Sequence, residues 1–141
     1  MITELSKAIV THYNTITTNI SGISGVPLSS IAPIYFGVAP DKAPYPFVSY
    51  YIIDTKIGTL TTCTDGFDVL IQFNIHDTGT SPLSVMYISD EIIDGYNSVA
   101  LSGLDGSLVN LQPLGLNINE DGNNDGTIGI VEYGCFIEKI R

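Results

Sequence analysis

The residues most suggestive of chemistry lie near the C-terminal end of the chain. Asp121-x-Asn123-x-Asp125-Gly126, followed five residues later by Glu132, matches the spacing of a helix–loop–helix calcium loop. The chemistry is sensible: hard oxygens at alternate positions can wrap a hard cation, and a glycine at the sixth position permits the sharp bend. Ile128 even supplies an apolar residue at the eighth position. The flanks disagree. Such a loop needs a helix on each side, but Pro113 and Gly115 interrupt the segment before it, and the segment after it alternates like a strand. Glu132 is then expected on a sheet face instead of folding back over the loop. A hairpin turn rich in Asn, Asp and Gly accounts for the same letters. No bound metal is therefore expected. A weak calcium site on Asp121, Asn123, Asp125 and Glu132, making the chain a calcium-binding surface module, is the lesser alternative.

Acid–base chemistry near neutral pH would have to use His12 or His76. His12 falls on the polar side of a helical pattern, and His76 near the end of a strand beside Asp77. There is no G-x-S-x-G elbow, no G-x-x-x-x-G-K-[ST] phosphate loop and no G-x-G-x-x-G. We expect no enzyme and no cofactor. Cys63 and Cys135 belong to no C-x-x-C pair, which argues against zinc and thioredoxin-type chemistry. Two reduced, buried thiols are the default, with a disulfide between them left open.

Charge narrows the partners. Fifteen acidic residues face five basic ones, for a net charge of −10. Lys7, Lys42, Lys56, Lys139 and Arg141 are scattered, so the cationic patch that displaces counterions from a phosphate backbone is missing. Charged residues make up 14% of the chain, against about 25% in ordinary globular proteins. Such a surface is suited to being covered by copies of the same chain or by partners, the alternative being a Thr/Ser-rich soluble monomer whose uncharged polar residues keep it wet. No run of 18 apolar residues offers a membrane span, and the first residues lack the basic and apolar regions of a signal peptide. Tyr45, Tyr50 and Tyr51 crowd the start of one strand, as interface residues or as ordinary strand formers.

The elements that must position these residues follow from periodicity. Ile2, Leu5, Ile9, Tyr13, Ile16 and Ile20 make one helical stripe, capped by Thr3 and ended at Ser21-Gly22. Residues 22–33 read as an apolar loop lying against the body of the protein. Strands are expected over 34–38 and 47–57, the second opening just after Pro46. A turn or extended hairpin tip spans 59–66. Phe67, Val69, Ile71, Phe73 and Ile75 then alternate with Asp68, Gln72, Asn74 and His76, interrupted by Leu70, which defines a strand with one buried face. Ser81-Pro82 opens a second helix with Val85, Ile88, Ile92, Tyr96 and Val99 as its stripe. Residues 108–119 and 127–140 are two further strands. The expected fold is one α+β domain spanning residues 1–141. Its order is α-β-β-β-α-β-β, with a mainly antiparallel or mixed sheet and both helices on one face.

Taken in order, these residues resemble the small tail-terminator, or tail-completion, proteins of long-tailed bacteriophages, which take part in head–tail joining. The resemblance rests on five features. They are the opening helix, the short strand ending in Val38-Ala39-Pro40, the run Pro44-Tyr45-Pro46-Phe47-Val48-Ser49-Tyr50, the strand containing Asp68-Val69-Leu70-Ile71-Gln72-Phe73-Asn74-Ile75, and the helix from Ser81. Two final strands complete the pattern. The loop 22–33 is longer and more apolar than the pattern needs, and the Asp/Asn-rich loop 120–126 is foreign to it. The resemblance implies a homohexameric ring in the tail or neck of a virion, assembled in the host cytoplasm. The ring would cap the tail tube protein, stop its polymerisation and offer a docking surface to the head-connector or stopper protein. DNA would pass through without being bound specifically. The resemblance implies no catalytic residues. Tyr45, Tyr50, Leu60, Thr62 and Asp65 are the candidate interface residues, from the strand opening and the following turn. Another neck ring, a head-completion or stopper protein, is the neighbouring alternative.

Overall fold

The computed structural model describes residues 2–19, 25–59, 64–78, 83–96, 107–121 and 126–140. Three helices and five strands follow in the order α1 (Ile2–Tyr13), α2 (Leu28–Ile31), β1 (Ile34–Phe36), β2 (Phe47–Thr59), β3 (Thr64–Asp77), α3 (Leu83–Tyr96), β4 (Ser107–Asp121) and β5 (Gly126–Ile140). The strands form one mixed sheet in the order β1-β2-β3-β5-β4. β1 runs parallel to β2, and every other pairing is antiparallel. The α+β class and the strand sequence are as expected from the residues.

Alternation decides which face is covered. Val69, Ile71, Phe73 and Ile75 of β3 are buried together with Val131, Tyr133, Cys135 and Ile137 of β5, and with Val48 and Tyr50 of β2. α1 and α3 lie on this face. Leu5, Ala8 and Ile9 from α1, and Val85, Ile88 and Ile92 from α3, complete one core cluster. Each fully buried Val, Ile, Leu or Phe contributes about 1.5–3 kcal/mol, so this single face holds most of the hydrophobic stabilisation. Hydroxyls fasten the layers: Tyr96 donates to the Ile9 carbonyl at 2.6 Å, and Tyr13 to the Ala32 carbonyl at 2.6 Å. The opposite face, which carries Asp68, Gln72, Asn74 and Glu132, has no described helix over it.

At the described ends of 59–66 the extended alternative holds, with β2 and β3 still paired at Thr59 and Asp65. Three other features differ from the periodicity. α1 ends at Tyr13, short of the expected Ser21-Gly22. Thr15, Thr17 and Thr18 are β-branched and weak in helices, and the chain leaves through tight turns, with Thr15 N–H donating to the His12 carbonyl at 2.9 Å. It then runs extended against residues 25–28: Thr18 N–H donates to Val26 O at 2.8 Å, and Leu28 N–H to Ile16 O at 2.9 Å. Ile16 is still buried, but from this extended segment, with its side chain against Gly95 of α3. The apolar loop contains the single-turn α2, whose Leu28 is fully buried, so the sheet is accompanied by three helices where two were expected. Strand β1 stops at Phe36, where Gly37 adopts φ +74° and turns the chain out of the sheet. Ile20, Ser81, Pro82 and Val99 lie outside the described residues.

Candidate functional site

The residues with calcium-loop spacing sit on the β4–β5 hairpin. Asp121 pairs with Gly126 at the end of the ladder, while Asn123 and Asp125 lie outside the described residues. Glu132 lies in mid-strand, level with Gln72 on β3 and Gly115 on β4. Six residues of extended chain separate it from Gly126, about 20 Å at the rise of a strand. That distance takes Glu132 out of reach of the turn. Gly126 has a packing reason of its own, because a Cβ there would strike the carbonyl oxygen of Asp77. Among the described residues, no three His, Cys, Asp or Glu side chains come together as a metal site.

The histidines have structural partners. His12 Nε2–H donates to the Gly95 carbonyl at 2.5 Å, and its ring packs edge-on against Tyr96 with centroids 4.8 Å apart. It joins α1 to α3, a role that its position on the polar side of a helix did not reveal. Nearby, Glu91 is 7% exposed and accepts the Asn19 N–H at 3.1 Å. His76 stacks on Phe47 at 4.7 Å, with its Nε2 3.3 Å from Ser49 Oγ. Ser49 is 2% exposed near the start of β2 and, like His76, lines the cleft beside the loop 37–46. Cys135 is a free, buried thiol, and Cys63 lies outside the described residues.

An open cleft of about 530 Å³ lies where the loop 37–46 crosses the sheet. Val38, Tyr45, Phe47, Tyr51 and His76 line it. Tyr45 packs on Phe47 at 5.2 Å, and Tyr35 meets Phe47 edge-on at 6.0 Å. Tyr45 and Tyr51 stand out at 42% and 36% exposure, beside Phe36 and Val38. Tyr50, in contrast, is a core residue at 1% exposure, its hydroxyl 2.6 Å from Ser6 Oγ, so its side chain is not available to a partner. Leu60 and Thr62 lie outside the described residues. At Asp65 the backbone is described, paired with Thr59 and Lys139.

The far edge of the sheet holds residues that the sequence reading missed. Leu114 and Leu116 are exposed there, around the bulge at Pro113/Gly115 on β4, and Phe136 is exposed on the adjoining β5, level with Asn110. The signal was present in the letters: from residue 107 to residue 119 the chain carries no charge.

These features define a single-sheet α+β domain with two helices across one face, an aromatic cleft at one end and an uncharged edge strand at the other. The same fold occurs in a solved structure, a chain of the virion of a native gene transfer agent particle. The match has a TM-score of 0.68 and 14% identity over 93% of both chains. No protein-family model matches the sequence, and comparison with curated proteins finds no relative.

Proposed function

We propose that the chain is a structural component of a phage-like virion, and within it a tail terminator. In this reading, copies of the chain form a homohexameric ring in the neck, cap the tail tube, stop its growth and provide the docking surface for the head connector. The observation that carries the virion role is the fold shared along 93% of both chains with a component of a gene transfer agent virion. The order of motifs from Val38-Ala39-Pro40 through the 81–96 helix supports the finer assignment. The role asks for surfaces and not for an active site. Exposed aromatics at the cleft and an uncharged strand at the far edge are what an assembling subunit needs. The net charge of −10 suits a channel through which DNA slides without adhering.

Electron microscopy of particles lacking the protein tests the reading. A tube end exposes a ring surface that the next ring would occupy, and only a cap that offers no further copy of that surface ends growth. Without the terminator, tubes of normal diameter should run past their proper length and fail to join heads. Tails of correct length beside leaking, empty heads would reject the terminator and assign the protein to the stopper position.

A further inference from the structure

We propose that the two open edges of the sheet are the two halves of the subunit interface. Strand β4 of one copy adds to the uncovered part of β2 in the next, so that the sheets join edge to edge. This inference rests on the ring reading above and names the surface that makes the ring.

The edges are unequal and complementary. β1 pairs with β2 only at Val48, Ser49 and Tyr50, whereas β2 continues to Thr59. Among the described residues, no strand pairs with the outer side of 51–59. At the other end of the sheet, β4 offers 15 residues with β5 on one side only. A row of unpaired N–H and C=O groups is a template for another strand, and proteins that must stay monomeric blunt it with charge, especially lysine. β4 is not blunted in that way, having no charged residue from Ser107 to Asn119. The open part of β2 is uncharged from Tyr51 to Ile53 and carries Asp54 and Lys56 beyond, which places the junction at the uncharged end. Pro113 and the two bulges are the only interruptions seen along these strands.

Charge and direction both favour a second copy as the occupant. Two chains of net charge −10 repel, and these strips are where they can approach without setting like charges together. The antiparallel pairings make β4 run opposite to β2 within one sheet. Rotation about an axis along the strands preserves direction, so the β4 of a neighbour meets β2 antiparallel, the stronger of the two ladder types. The contact is heterologous, since each copy gives one edge and receives the other, which is how a cyclic ring closes. Tyr51 and Ile53 on one side, and Leu114 and Leu116 on the other, are 36–57% exposed in the single chain and would be covered by the junction.

Register follows from the sheet. Ile52 is level with Ile71, Tyr133 and Pro113, so an unshifted rotation brings Gln112 beside Ile53 and Leu114 beside Tyr51, and Leu114 and Leu116 sample staggers that would bring them to Ile53. The test uses the full chain with Cys63→Ser. A copy with Ile53→Cys is mixed with a copy bearing Gln112→Cys, Leu114→Cys or Leu116→Cys and then mildly oxidised. One of the three mixtures should give a disulfide-linked dimer. Ile53→Lys and Leu116→Lys, at exposed positions, should each raise the concentration needed for assembly at least about tenfold with an unchanged melting temperature. Tyr87→Lys, on the exposed side of α3, should leave assembly unchanged. If the ring forms only on tube ends, the same variants are read on that complex. A ring that forms without any cross-link and ignores both lysines would overturn the edge pairing while leaving the ring intact. A chain that stays monomeric alone and on tube ends would overturn both.

Discussion

Residue by residue, the core is held by tyrosines that keep their hydroxyls. Tyr13, Tyr50, Tyr96 and Tyr133 are each at most 1% exposed, and each places its oxygen on a backbone carbonyl. Burial disfavours the phenolate, so Tyr13 and Tyr96 are pushed far above their ordinary range and Tyr133 up to about 12. The Cys135 thiol is pushed up to about 12, first by burial and then by the charge of Asp68. The sign follows from linkage. On unfolding, these groups return to ordinary values of about 10 for tyrosine and about 8.5 for cysteine, and they release protons as the pH passes those values. The stability they confer is therefore complete below about pH 8.5 and is lost as the pH rises through the range up to about 12. Melting temperatures by circular dichroism should be level from pH 7 to 8 and fall steeply from about pH 9.5 upward. A flat profile to pH 11 would contradict this account. The same residues show the limit of reading side chains by type. Tyr50 and Tyr51 are equally good strand or interface residues, and only the alternation of Tyr50 with Val48 and Ile52 assigns it to the core.

At the level of elements, strands were legible because each buries one face. The period-two pattern survives from Val69 to Ile75 in β3, the Phe67 side chain lying outside the described residues, and Leu70, the interruption, is half-buried. Helix ends were less legible. Ile16 continues the apolar stripe of α1, yet it is buried from an extended segment, since burial alone does not specify backbone. α2 is too short to show a period. The β4–β5 hairpin is the element where a motif and a fold compete. Its flanks are strands and its Glu132 is held in mid-ladder, so calcium affinity should be no stronger than about millimolar by isothermal titration. Gly126→Ala should lower the melting temperature with or without calcium, because the new methyl meets the Asp77 carbonyl. Micromolar affinity abolished by Asp121→Ala and Asp125→Ala would show that the loop binds metal despite its strands.

For the whole molecule, strand order was beyond the reach of the letters. Hairpin lengths foretell that β2 pairs with β3 and β4 with β5, but not that β5 inserts beside β3 and leaves β4 as an edge. The candidate assembly surface depends on that order, which is why Leu114 and Leu116 went unnoticed. Its energetics lead to a prediction about salt. Copies carrying −10 each repel over about 30 Å at 0.01 M ionic strength and over about 8 Å at 0.15 M. If uncharged strips make the contact, screening removes the repulsion and leaves the attraction. Self-association should therefore strengthen as sodium chloride rises from 0.01 to about 0.3 M, read as sedimentation coefficient by analytical ultracentrifugation at fixed protein concentration. DNA binding has the opposite salt dependence, and five dispersed cations should leave duplex DNA unretarded in a gel at physiological salt. An assembly that dissociates as salt rises would mean that ion pairs hold the copies together, and the uncharged edges would then not be the interface.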